Sequence, residues 1–294
     1  MLMLRKFLTA VPVVFSCAML PPVAHAQAAS DLSGLSDDQL QQTVNFVIGN
    51  AIFALYHEAS RMLISDLDLP NAAPGLDTAD QLTASLILEA NEEWLDTALV
   101  NATDSWYLAR IADALPEHAS PLYSSLVPNK ERDRQIACLM VGKDADGYGD
   151  LVEMMGLPKD QWQPCISSYS TTVSSWSALL EPHQKPSQAT KFKINYEPSR
   201  DPSLELYATM IKESQVLDLI SRSFNHYALK GDVKLTAKSC GRPDVYWSAE
   251  KREITYCYEL GAFHGQLIAD HLLAGSGEEG GKEIPTAINL GQEL

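Results

Sequence analysis

The chain has 294 residues, 20% of them charged, and a formal net charge of −16. That acidity argues against nucleic acid and against anionic membrane surfaces as partners. The length suits one large domain or two intimate ones. Residues 1–26 read as a signal peptide. Arg5 and Lys6 form a positive start, 7–20 is apolar but short for a bilayer span, and Ala24-His25-Ala26 is a cleavage signal. A competing reading makes Cys17, preceded by Val14-Phe15-Ser16, the lipidated residue of a lipoprotein, but Phe15 fits that poorly. Loss of Arg5 and Lys6 takes the mature charge to −18. No other stretch is apolar enough to span a membrane, so the expected location is periplasmic or secreted.

In the mature chain, Ser36-Asp37-Asp38-Gln39 is a capping box that opens a helix over 36–67. Val44, Val47, Ile48, Ala51, Leu55 and Ala59 form its apolar stripe. Gly49 lies inside it and permits close packing. The run Pro70-Asn71-Ala72-Ala73-Pro74-Gly75 breaks the chain before a second helix over 77–100. Helical patterns follow at 104–115, 132–141, 148–155 and 165–180, the last rich in Ser and Trp. A strand is expected at 191–196, a helix at 204–228, and a strand at 232–237. A hairpin is expected from 245–247 and 253–256, and a last helix at 257–273. The Gly- and Glu-rich stretch 275–294 reads as a disordered acidic tail, leaving 27–274 as the folded domain. The class is α+β, mostly helical with a small antiparallel sheet.

Once Cys17 leaves, four cysteines remain: Cys138, Cys165, Cys240 and Cys257. Four allow three connectivities. The local pairs Cys138–Cys165 and Cys240–Cys257 are favoured because each flanks a compact unit. Export makes disulfides the expected state over free thiols.

The chemistry sits in 56–80, Y-H-E-A-S-R-M-L-I-S-D-L-D-L-P-N-A-A-P-G-L-D-T-A-D. His57-Glu58 begins an H-E-x-x-H pattern, in which two His one helical turn apart bind zinc and the Glu acts as general base. Arg61 stands where the second His belongs, and a guanidinium offers a metal no lone pair. By itself an H-E pair is a weak signal.

The stretch resembles a bacterial family of exported, largely uncharacterised zinc metallopeptidases whose members carry approximately Y-H-E-L-G-H-A-L-I-x-E-L-D-L-P-V-L-G-R-E-E-D-x-A-D. Ile64, Leu67-Asp68-Leu69-Pro70, Asp77 and Ala79-Asp80 match it without a gap. Cys240-Gly241-Arg242-Pro243 and Ile254-Thr255-Tyr256-Cys257-Tyr258-Glu259-Leu260 look like its C-terminal block. The resemblance implies a zincin-like helix pair at the core, with His57 as first ligand and Glu58 as general base. It places the second ligand on Arg61. Gly75 and Leu76 replace the family's acidic pair, Leu76 at the third ligand, while Asp80 keeps a position that bonds a ligand His. Two of three ligands are thus lost. Asp77, or His264 and His271 on the last helix, are the only substitutes in view. Blander readings make His57 a buried partner of Asp80, Glu58 a partner of Arg61, His264 and His271 ordinary surface or core residues, and Tyr258-Glu259 a hydrogen-bonded pair. The expectation is a degenerate, inactive metallopeptidase-like protein without zinc, holding a peptide or protein in the inherited cleft. The alternative is a metal-dependent peptidase with a rearranged zinc site. A third is a purely structural envelope protein.

Overall fold

The computed structural model describes residues 32–70, 78–112, 130–185, 187 and 189–275. The expected signal segment, the tail beyond Gly275, and the positions Gly75, Leu76 and Asp77 lie outside the described residues. The fold is α+β. Helix α1 (Asp37–Asp66) opens at the expected capping box, with the Ser36 hydroxyl accepting from the Gln39 N–H and the Gln39 side chain accepting from the Ser36 N–H. Residues 49–60 are buried without interruption. The helix is therefore a central post covered on all sides, not one with a single broad buried face. Helices α2 (Thr78–Ala90) and α3 (Glu93–Ile111) pack on it.

The single helix expected over 77–100 is two, because Asn91 takes a left-handed conformation at φ 53°. Asn tolerates that region, and its own side chain donates to the Glu89 carbonyl. The pattern expected at 104–115 is the continuation of α3. Helices α4 (Lys130–Lys143), α5 (Ala145–Met154) and α6 (Trp162–Leu180) form a side layer in which Cys138–Cys165 ties α4 to α6. The helix expected over 204–228 is likewise broken, at Gln215 with φ 52°, into α7 (Glu205–Glu213) and α8 (Val216–Phe224).

Strands β1 (Phe192–Tyr196), β2 (Val233–Lys238), β3 (Val245–Ser248) and β4 (Glu253–Cys257) form one sheet in the order β1-β2-β4-β3. The β3/β4 pair is the expected antiparallel hairpin. The other two pairings are parallel, so the sheet is mixed, not antiparallel. The reason is the connection: α7 and α8 lie between β1 and β2, a helical crossover that returns the chain in the same direction, while between β2 and β4 the chain runs out along β3 at the sheet's edge and back antiparallel to it as β4. Strand β4 runs straight into α9 (Tyr258–Gly275), and Cys240–Cys257 fastens the loop after β2 to that junction.

Gly49 sets the spacing of α1 and α3. A Cβ there would overlap the Asn101 side-chain amide, which donates to the Asn45 carbonyl, while Asn50 donates to the Asn101 carbonyl. Gly49→Ala is therefore expected to destabilise the protein by about 1–3 kcal/mol through overpacking. Urea unfolding checks it, and a neutral or stabilising effect would show that the interface yields.

Candidate functional site

One face of α1 carries His57, Glu58 and Arg61, and the start of α2 brings Asp80 against it. The two helices are joined beside the site by a hydrogen bond from the Thr83 hydroxyl to the Ser60 hydroxyl, 2.8 Å, both side chains buried. His57 is wholly buried. Its Nδ1 lies 3.2 Å from Glu58 Oε1, and its Nε2 lies 3.2 Å from Asp80 Oδ1. The second approach has ion-pair distance but not hydrogen-bond alignment.

Asp80 also receives a buried guanidinium. Arg132, from α4, places Nη2 2.6 Å from Asp80 Oδ1, and its guanidinium sits 4.5 Å from the centre of the Trp106 ring. Arg61 behaves differently. Its side chain is 37% exposed and its Nε is 3.7 Å from Glu58 Oε2, a loose contact at the rim. The buried guanidinium of the site is thus that of Arg132, not that of the residue standing in the motif.

Protonation follows from these neighbours. Burial alone would lower the His57 pKa, but the carboxylates of Asp80 and Glu58 outweigh it and raise it to about 9. Burial opposes ionisation of Asp80, yet Arg132 and His57 overcome that and hold its carboxyl below the usual value. At neutral pH the centre is an imidazolium and a guanidinium set against carboxylates.

Among the described residues, the donors around His57 do not make up a catalytic zinc site. Such a metal needs three protein ligands with free lone pairs and an open position. Both ring nitrogens of His57 face carboxylates. Arg61 supplies none. Among the described residues, the one grouping with metal-ligand spacing is Cys240, Cys257 and Glu259. Its two sulfurs are joined in a disulfide, and the Glu259 carboxylate accepts from the N–H groups of Cys240 and Gly241.

His264 is buried between Phe46 and Phe263, and burial drives its pKa down to about 3. His271 is half-buried on the same helix, on the wall of a separate apolar groove. Neither comes together with His57 in a metal-capable group among the described residues. Tyr258 donates to the Glu197 and Ala237 carbonyls, so the Tyr258-Glu259 pair braces the sheet and the disulfide loop.

Glu58 is committed as well. Its Oε1 faces His57 and its Oε2 accepts from the Trp247 N–H at 2.8 Å. Trp247 lies on β3, one of the two edge strands of the sheet. The neighbouring outward donor, the Val245 N–H, is taken by Asp244 Oδ1 at 2.9 Å. Two buried carboxylates thereby take the outward N–H groups of this edge strand, where it lies against α1.

Sequence reasoning missed Arg132, Trp106 and the Trp247 N–H. Arg132 lies in the run Lys130-Glu131-Arg132-Asp133-Arg134, which reads as a solvated helix face. Nothing in its spacing marks one member as 4% exposed.

Residues 20–180 and 196–284 match a family model described as "Putative metallopeptidase". No curated protein and no solved structure matches the chain. With most of its length matched in this way, the chain belongs to that putative metallopeptidase family.

Proposed function

We propose that the protein is a member of this family that has given up the zinc site and works by binding, without peptidase activity. The observation that carries the reading is geometric: both ring nitrogens of His57 face carboxylates, Nδ1 that of Glu58 and Nε2 that of Asp80, and Arg132 pairs with Asp80. The charges a metal would satisfy are met by side chains. Glu58, the family's general base, spends its oxygens on His57 and on a backbone N–H. The expected partner is a peptide or protein, taken up where β3 lies beside α1; strand addition there has to displace Glu58 from Trp247.

The protein is proposed to be exported to the periplasm or beyond, with 1–26 removed and 27–274 acting as one domain. Two disulfides and the absence, among the described residues, of any helix long and apolar enough to cross a membrane agree with that placement.

Metal content per chain, measured on protein purified without chelators, tests the reading together with hydrolysis of a generic peptide pool. The wild type is expected to hold far less than one zinc per chain and to cleave nothing. Arg61→His with Leu76→Glu is expected to gain zinc, since either change alone leaves too few ligands. Near-stoichiometric zinc in the wild type, with chelator-sensitive hydrolysis that Glu58→Gln abolishes, overturns the proposal in favour of a rearranged site that recruits Asp77.

A further inference from the structure

The sheet has two edges, and they are finished differently. At β3 the outward N–H groups of Val245 and Trp247 are taken by the buried carboxylates of Asp244 and Glu58. At β1 the Val233 N–H donates to the Lys191 carbonyl at 3.0 Å, and the Glu197 N–H donates to the Ala237 carbonyl at 2.9 Å. With Phe192 in parallel register on Val233, Lys191, Lys193, Asn195 and Glu197 turn their backbone groups to β2. Phe192, Ile194 and Tyr196 turn theirs to the edge. Among the described residues, no hydrogen bond reaches the backbone N–H or carbonyl groups of these three. Their side chains are only half-buried against the core, so this edge also leaves apolar surface in water.

An unpaired edge is a template for a further strand, and the residues of β1 specify which strand fits. Antiparallel pairing of β1 with its own copy, about a two-fold axis at Ile194, sets Ile194 against Ile194, Phe192 against Tyr196, Lys193 against Asn195 and Lys191 against Glu197. All three outward residues then take hydrogen-bonded positions, each exchanging N–H···O bonds in both directions with the residue opposite. On the inner face the aromatic residues meet across the strands. On the outer face the exposed Lys191 meets the exposed Glu197 carboxylate. Lys193 lies diagonal to its copy, but its ammonium is 3.4 Å from Asp232 of its own chain. Pro198, which has no N–H, ends the ladder at the next outward position. An axis at Phe192 would set Lys191 against Lys193, and an axis at Tyr196 would set Pro198 against Ile194. The charges and the proline therefore select one register.

We infer that β1 is a dimerisation edge, at which a second copy of this chain continues the sheet through a two-fold axis at Ile194, with Lys191 and Glu197 paired across the interface. The surface is isologous, since the same strand serves both copies. It lies at the opposite edge of the sheet from β3 and does not depend on whether the His57 cluster binds metal.

The test is sedimentation of the full chain over a concentration series, joined to hydrogen exchange followed amide by amide. A reversible dimer is expected between micromolar and millimolar concentration. The amides of Phe192, Ile194 and Tyr196 are expected to exchange quickly in dilute protein and to slow as the dimer fills. Those of Lys193 and Asn195, bonded to β2, stay protected throughout. Glu197→Lys, an exposed change, sets like charges together at both ends of the ladder and is expected to weaken the dimer roughly 5- to 100-fold, with urea unfolding of the dilute protein little changed. Adding Lys191→Glu restores opposite charges and is expected to return the affinity to near that of the wild type. Protein that stays monomeric up to millimolar concentration overturns the inference. So does a dimer that Glu197→Lys leaves unweakened, that the double change fails to restore, or that leaves the outward amides of β1 unprotected.

Discussion

Arg132→Met is expected to lower the stability of the protein by roughly 3–5 kcal/mol, whereas Arg61→Ala is expected to change it by less than about 1 kcal/mol. The contrast follows from burial. Asp80 and Arg132 have side chains 1% and 4% exposed and meet at 2.6 Å. Removing the guanidinium leaves a buried carboxylate with only His57 of its two cations, and such uncompensated charge accounts for the large cost of breaking a buried pair. The substitution also removes the stacking of Arg132 over Trp106. Arg61 reaches Glu58 only at 3.7 Å from a 37% exposed position, where solvent screens the interaction. Urea unfolding of both variants against the wild type measures the difference, and the melting temperature of Arg132→Met should fall by roughly 10 °C. Equal costs for the two arginines would mean that the motif residue, not the α4 residue, balances the site.

The features legible in the sequence were those fixed by neighbours in the chain. The capping box at Ser36, the β3/β4 hairpin and the run of β4 into α9 each depend on a few consecutive residues. The disulfide pairs join cysteines 27 and 17 residues apart, close enough for the pattern of elements to suggest them. The illegible features depend on tertiary context. Asn91 and Gln215 enter left-handed conformations inside apolar patterns that continue across them, so both long helices read as unbroken. The parallel pairing of β1 with β2 and of β2 with β4 is decided by the connections between the strands. At the site, the sequence displayed His57, Glu58, Arg61 and Asp80. It hid Arg132, a charged residue in a charged run, and the Trp247 N–H, a backbone group with no signature.

Stability is expected to fall as pH rises from about 7 to 9.5, and His57→Gln is expected to flatten most of that slope. The folded-state pKa of His57 is raised from an ordinary 6.5 to about 9 by Asp80 and Glu58 against the opposing effect of burial. A group whose folded pKa is raised binds its proton more tightly in the native state. Its contribution is fully present below pH 6.5 and is lost as pH climbs through about 9. A shift of that extent corresponds to a contribution on the order of 3 kcal/mol.

Among the other shifted groups, Asp80, Asp104 and His264 act elsewhere on the scale. Asp80 has a lowered folded pKa, so its contribution is present above its ordinary 3.8 and is lost in acid. Asp104 is raised by burial to about 7, so its effect is a loss of stability between 3.8 and about 7, which overlaps the foot of the His57 window. His264 is lowered to about 3 and stays neutral in the fold. The unfolded chain takes up that proton first, so stability falls as pH drops from 6.5 towards 3. Urea midpoints measured from pH 7 to 9.5 report chiefly on His57, with buried tyrosines of raised pKa such as Tyr56 and Tyr227 adding a smaller loss in the same direction towards pH 9.5. The imidazole ring signals of the wild type should move with a midpoint near 9. A flat wild-type profile, or a His57→Gln variant with the same slope, would mean that the carboxylates do not hold His57 as a cation. The imidazole would then be free to offer a lone pair to a metal.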